Sequence, residues 1–154
     1  MKPFSAKDIM MPDDVAMAFI YAKRYRSKFP KNGKYTLDQV EGLISSHPFA
    51  SYQYALAIGK RFYRGESKIA ECPFSSYYYV TRVLGGERWA PCEVSMLRSP
   101  SLACLYAIDV VKGEWPEAEH LIMGHEKSAI EYMAFLKERA HDTARIEGQG
   151  WEAS

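Results

Sequence analysis

The sequence predicts an all-α protein, a short α-solenoid of helical hairpins with modified end repeats. Three observations predict it. A proline-led segment recurs as HPFASYQYALAIGKRFY from His47, CPFSSYYYVTRVLGGERW from Cys72 and SPSLACLYAIDVVKGEW from Ser99, with prolines at 48, 73 and 100. Each copy then has a tyrosine six positions on (Tyr54, Tyr79, Tyr106), an aliphatic residue ten on (Ile58, Val83, Val110) and a large aromatic fifteen or sixteen on (Tyr63, Trp89, Trp115). No stretch of strand period has useful length: YYYV at Tyr77 has strand propensity in isolation, but its place in the repeat overrides it. Self-similarity at a short fixed period marks a repeat array, which builds a surface for partners more often than a catalytic pocket.

The first repeat, residues 12–46, is a modified one. MPDDVAMAFIYAKRYRSKF carries Pro12, and its pair Tyr21-Ala22 echoes Tyr54-Ala55. A longer loop from Pro30 to Tyr35 precedes a helix from Thr36, where Thr36 and Gln39 have capping-box spacing ahead of Val40, Leu43 and Ile44. In the repeat 47–71 the helix-ending glycine is displaced to Gly65, and the second helix, Glu66 to Ala70, is barely two turns. In 72–98 the long helix ends at Gly85-Gly86 and the short one covers Ala90 to Leu97.

The repeat 99–123 is the clearest. Ser99 can cap the first free amides, and Pro100 suits the first helical position, where its missing N–H had no partner. Leu102, Leu105, Tyr106, Ile108, Val110 and Val111 supply a broad apolar face, and Gly113 ends the helix. Trp115-Pro116 restarts the chain, with Glu117 and Glu119 in the first turn of a helix ending near Met123. Residues 125–140 read as an amphipathic capping helix with Ile130, Met133, Ala134 and Leu136 inward. Residues 1–140 thus form a single domain, and the polar tail 141–154 is expected to fray.

The chain of 154 residues is long enough to bury a real core, and 47% apolar with 25% charged residues matches a globular protein. Eleven tyrosines and three tryptophans supply rings where each thin repeat has little aliphatic volume. Cys72, Cys92 and Cys104 contain no CxxC pair and read as small buried residues in a reducing compartment. No run has the length of a membrane span and the start lacks a secretion signal, so the expectation is a cytoplasmic protein without membrane contact. Net charge is +1, but residues 1–71 carry twelve Lys and Arg against seven Asp and Glu, a balance of +5.

Between Ser99 and Ile122 the residues Ser99-Pro100, Tyr106-Ala107, Val110, Gly113 and Trp115 to Glu119 follow the pattern SPxxxxxYAxxVxxGxWPEAExxI. This stretch resembles a short helical tandem repeat of tailed-bacteriophage and prophage proteins. The copy from Cys72 matches at Pro73, Tyr79, Val83, Gly86 and Trp89, and the copy from His47 only at Pro48, Tyr54-Ala55 and Ile58. The resemblance implies an α-helical array of phage origin and carries over no catalytic residue, substrate or cofactor.

The candidate site residues follow from charge and register. Lys23, Arg24, Arg26, Lys28, Lys31, Lys34, Lys60, Arg61, Arg64 and Lys68 interleave with Tyr25, Phe29, Tyr35, Phe62 and Tyr63. Such a mix suits the phosphates and bases of single-stranded nucleic acid, or an acidic patch on a protein. Tyr54, Tyr79 and Tyr106 are core by register, and Tyr63, Trp89 and Trp115 pack in the elbows between paired helices. Tyr52, Tyr77 and Tyr78 fall off that register and are expected at a contact surface. His120, His125, Glu117, Glu119 and Glu126 form the only local set resembling metal ligands, but with off-face spacing, and no metal or other cofactor is expected. No catalytic motif is present, so an enzyme is not expected. The expected function is occupancy: a binder of a bacterial host protein or ribonucleoprotein complex, such as an RNA-guided immune effector, in the manner of an anti-CRISPR protein. A nucleic-acid binder and a self-assembling structural protein or adaptor are the alternatives.

Overall fold

The computed structural model describes residues 1–149, so the end of the expected tail, 150–154, lies outside the described residues. Among the described residues there are nine α-helices and no strand. In order they are α1 (Asp13–Arg24), α2 (Leu37–Ser45), α3 (Pro48–Ile58), α4 (Glu66–Glu71), α5 (Pro73–Arg82), α6 (Ala90–Met96), α7 (Pro100–Tyr106), α8 (Pro116–Met123) and α9 (Glu126–Gln149). The protein is all-α. None of these helices is long and apolar enough to cross a membrane. The chain divides into two compact units, Met1–Ser99 and Pro100–Ser154.

In the first unit the helix starts obey local chemistry. Asp13 and Asp14 sit in the first turn of α1 and Lys23 and Arg24 in its last, each charge opposing the adjacent end of the helix dipole. The Thr36 hydroxyl accepts from the Gln39 amide at 3.2 Å while the Gln39 side chain accepts from the Thr36 amide at 2.9 Å, the reciprocal cap the spacing predicts, and a cap of this kind contributes about 1 kcal/mol. Pro48 opens α3 behind His47, whose Nδ1 accepts from the Ala50 amide at 3.3 Å and whose Nε2 faces the Met10 carbonyl at 2.8 Å.

α3 ends on Gly59, at φ 70°, and not at a displaced Gly65. Gly65 lies in a 3-10 turn from Tyr63 to Gly65, where a side chain would collide with Ser51 and Phe62. Sequence reading took a close-packing glycine for a helix-stopping one. YYYV lies inside α5, and Gly85 and Gly86 follow that helix with φ 79° and 83°. α3 touches α1, α2, α4 and α5, which places it at the centre of the unit. The core there includes Val15, Ala18, Val40, Ile44, Ile69 and Tyr79.

In the second unit Pro100 opens α7, and the chain widens into a π-helical turn from Ala107 to Val111. Lys112, at φ 57°, and not Gly113, takes the left-handed stop, and its amide donates to the Ala107 carbonyl at 2.8 Å. Trp115, 1% exposed, packs its ring 5.1 Å from that of Tyr106. α9 departs from expectation twice. It runs unbroken through 141–149, and its inward residues are Ser128 and Tyr132, with Phe135 and Leu136 half-buried. Ile130 and Met133 face out at 65% and 51% exposure, and Ala134 is exposed as well.

Candidate partner-binding surface

α1 buries Val15, Ala18 and Ala22, one stripe at helical spacing, and so turns Met17, Ile20, Lys23 and Arg24 outward. The loop after it folds back on the helix. The Tyr21 ring meets Tyr25 at 4.6 Å, Phe29 at 5.9 Å and the edge of Tyr35 at 5.2 Å. Gly33 makes this possible, because a Cβ there would collide with the Tyr21 hydroxyl and the Pro30 ring. The result is an open pocket of about 270 Å³ lined by Met17, Ile20, Tyr21, Arg24, Tyr25, Lys34 and Tyr35. Lys23 sits over Phe19, Arg24 over Tyr25 and Lys34 over Tyr35, at 5.6, 5.7 and 5.2 Å from the ring centres. From Val15 to Thr36 the chain holds six Lys and Arg and no Asp or Glu.

The predicted basic set divides. Arg61 makes a two-pronged pair with Glu66 at 2.8 and 2.9 Å, Arg64 pairs with Asp38 at 2.9 Å and Lys68 with Glu71 at 3.1 Å. Arg26 donates to the Ala57 carbonyl and ties the end of α1 to the end of α3. Arg26 and Arg64 thus link segments distant in sequence, whereas Arg61 and Lys68 pair locally. Lys23, Arg24, Lys28, Lys31 and Lys34 stay together on α1 and its loop, and Lys60 is exposed beyond α3.

The expected tyrosine surface is corrected in part. Tyr52 is 2% exposed, because α3 is packed on several sides and leaves no outward face there. Its hydroxyl accepts from Arg82 at 3.2 Å and its ring lies 6.2 Å from Tyr78. Tyr77 and Tyr78 are half-buried, with their rings 5.0 Å apart and the Arg82 guanidinium 4.7 Å over Tyr78. Tyr63 is not an elbow residue. It is 71% exposed under Arg61, and Phe62, 5% exposed, packs against Tyr54 at 4.9 Å in its stead. The first elbow is one residue shorter than sequence spacing allows, so the inward ring moves to the preceding position.

A second set of residues escaped sequence reading. The Tyr54 hydroxyl donates to Glu41 at 2.8 Å, and the Tyr79 hydroxyl donates to Glu66 at 2.6 Å, each thirteen residues back. Tyr79 also accepts the Phe62 amide at 3.3 Å, as Tyr132 accepts the Trp115 amide at 3.0 Å. Burial and the neighbouring carboxylate both push the Tyr54 and Tyr79 hydroxyls far above the ordinary tyrosine value. Burial pushes Glu66 upward too, but its bonds from Arg61 and Tyr79 outweigh that and hold it below the ordinary glutamate value. The signal was present in the sequence: Glu41, Glu66, Glu93 and Glu119 precede Tyr54, Tyr79, Tyr106 and Tyr132 by one constant interval.

No protein-family profile, curated protein or solved structure matches the chain.

Among the described residues no group of three or more His, Cys, Asp or Glu could hold a metal ion. His125 faces the Ser128 hydroxyl at 2.8 Å, and the three cysteines are buried thiols. Burial, with Glu131 and Asp109 nearby, pushes the Cys104 thiol up to about 11, far from a reactive thiolate. What α1 and its loop present outward is cations, rings and thioether or aliphatic side chains.

Proposed function

We propose that this chain is a short α-helical repeat protein that works by binding another protein and covering its surface, without catalysing a reaction. The repeat reading is supported by register. Long helices begin at Pro48, Pro73, Pro100 and Glu126, and Ile44, Ile69, Met96 and Ile122, each four residues earlier, are fully buried. His47 and His125 stand immediately before two of these starts, and each faces a helical residue three positions on. On this reading α9 is a fourth copy with glutamate in place of proline, and α1 with α2 is the modified first copy.

One observation carries the binding reading: the acid-free basic stretch from Val15 to Thr36, folded onto rings around an open apolar pocket. The resemblance of Ser99–Ile122 to phage repeats supports a partner in an infected bacterium's cytoplasm, with an RNA-guided immune complex as one such target. The test is capture from bacterial lysate followed by reconstitution with the purified partner. Stoichiometric binding that abolishes the partner's activity is the expected result; a chain that retains no protein overturns the reading. The same basic stretch favours nucleic acid as the second reading. Titration with a labelled oligothymidine separates the two, since phosphate-driven binding collapses as salt rises.

A further inference from the structure

We infer that the pocket between α1 and its following loop receives an acidic polypeptide segment carrying an apolar anchor side chain. This inference rests on the protein-binding reading above and gives it a location and a ligand chemistry. The floor is Met17 and Ile20, 53% and 57% exposed, and a thioether with a branched aliphatic chain suits an inserted apolar side chain. The rim is Arg24 and Lys34, and the chain from Val15 to Thr36 presents no carboxylate to repel an acid. The rings of Tyr21 and Tyr35 form the wall, and they meet edge to face.

That wall decides between the two polyanions the rim could accept. Stacking a nucleobase needs an open ring face. Here Lys34 covers Tyr35, Arg24 lies over Tyr25, and Tyr21 is packed against three rings. The apolar floor offers no group that reads a base edge. Carboxylates flanking a buried side chain satisfy both rim and floor, and charge complementarity steers and registers such a segment.

The experiment uses the full chain and fluorescence anisotropy with three probes. The first is a labelled synthetic peptide with a leucine–phenylalanine pair flanked by glutamates, the second is the same peptide with serines for that pair, and the third is oligothymidine of matched charge. The expected result is binding of the anchored peptide, with the serine peptide weaker by about tenfold or more, the effect of losing one buried anchor. Met17→Ser with Ile20→Ser should remove that preference, and Arg24→Glu with Lys34→Glu should weaken both peptides at low salt by about tenfold or more. Circular dichroism confirms that these exposed substitutions leave the helices formed, and the peptide comparison on the unaltered chain needs no variant. Equal binding of the two peptides, no peptide binding, or oligothymidine binding more tightly than the anchored peptide each overturns the inference. Capture of a protein partner that survives Arg24→Glu with Lys34→Glu overturns this site alone, whereas failure of the unaltered chain to capture any protein removes the reading beneath it.

Discussion

Ser75 and Ser76 are adjacent, both fully buried, and opposite in consequence. The Ser76 hydroxyl donates to the Ile69 carbonyl at 2.7 Å, while the Ser75 hydroxyl has no hydrogen-bond partner. An unsatisfied buried hydroxyl opposes folding, and a satisfied one contributes modestly. Ser75→Ala should therefore raise stability by about 1 kcal/mol and Ser76→Ala lower it by about 1 kcal/mol, read as opposite shifts of the urea midpoint. Lys112 makes a third case. A side chain held in the left-handed region costs about 1 kcal/mol, and its substitution by glycine should recover about that amount, seen as a rise in Tm.

Between helices, the carboxylate of Glu66 joins three elements: it accepts from Tyr79 on α5, receives Arg61 from the elbow, and sits at the start of α4. Its loss would leave a buried tyrosine hydroxyl without its acceptor, so Glu66→Ala should cost about 2 kcal/mol, whereas Glu71→Ala, which breaks the exposed pair with Lys68, should cost less than about 0.5 kcal/mol. Because Glu66 is held below the ordinary glutamate value, its contribution is present above that range and is lost as pH falls through the folded-state value. Acid unfolding of Glu66→Gln should show a shallower decline there.

The elements were legible in the sequence because proline, caps and glycine act locally; which ring turns inward was not. Phe62 and Tyr63 are neighbours of similar size, and only the true elbow length selects between them. The face of α9 was misjudged for a related reason. Ile130 and Met133 are the more apolar residues, but the inward position belongs to Tyr132, whose hydroxyl reaches the Trp115 amide. Hydropathy cannot see that bond.

On the scale of the whole molecule, the candidate site was half legible. Basic residues near rings are visible in composition, but a sequence does not show which cations pair with Glu66, Asp38 and Glu71 and which remain on α1 and its loop. Partner geometry separates them, and it also gives the fold a common alkaline weakness. Tyr54, Tyr79 and Tyr132 are all buried, and burial, before any neighbouring charge, raises each above the ordinary value of 10.0. A group whose folded value is raised stabilises fully below its unfolded value and loses that contribution as pH rises beyond it. In the unfolded chain these tyrosines ionise near 10, in the folded chain they stay protonated, and unfolding then releases protons. Stability should begin to fall above about 9, where Cys104 ionises in the unfolded chain but not in the fold, and steepen above about 10, by about 1.4 kcal/mol per pH unit for each group still protonated only in the fold. Thermal melts from pH 8 to 11.5 check this against the tyrosinate absorbance near 295 nm. Buried tyrosines predict that the absorbance of these three rises together with the loss of helix, and a normal titration of all eleven before unfolding would contradict their placement.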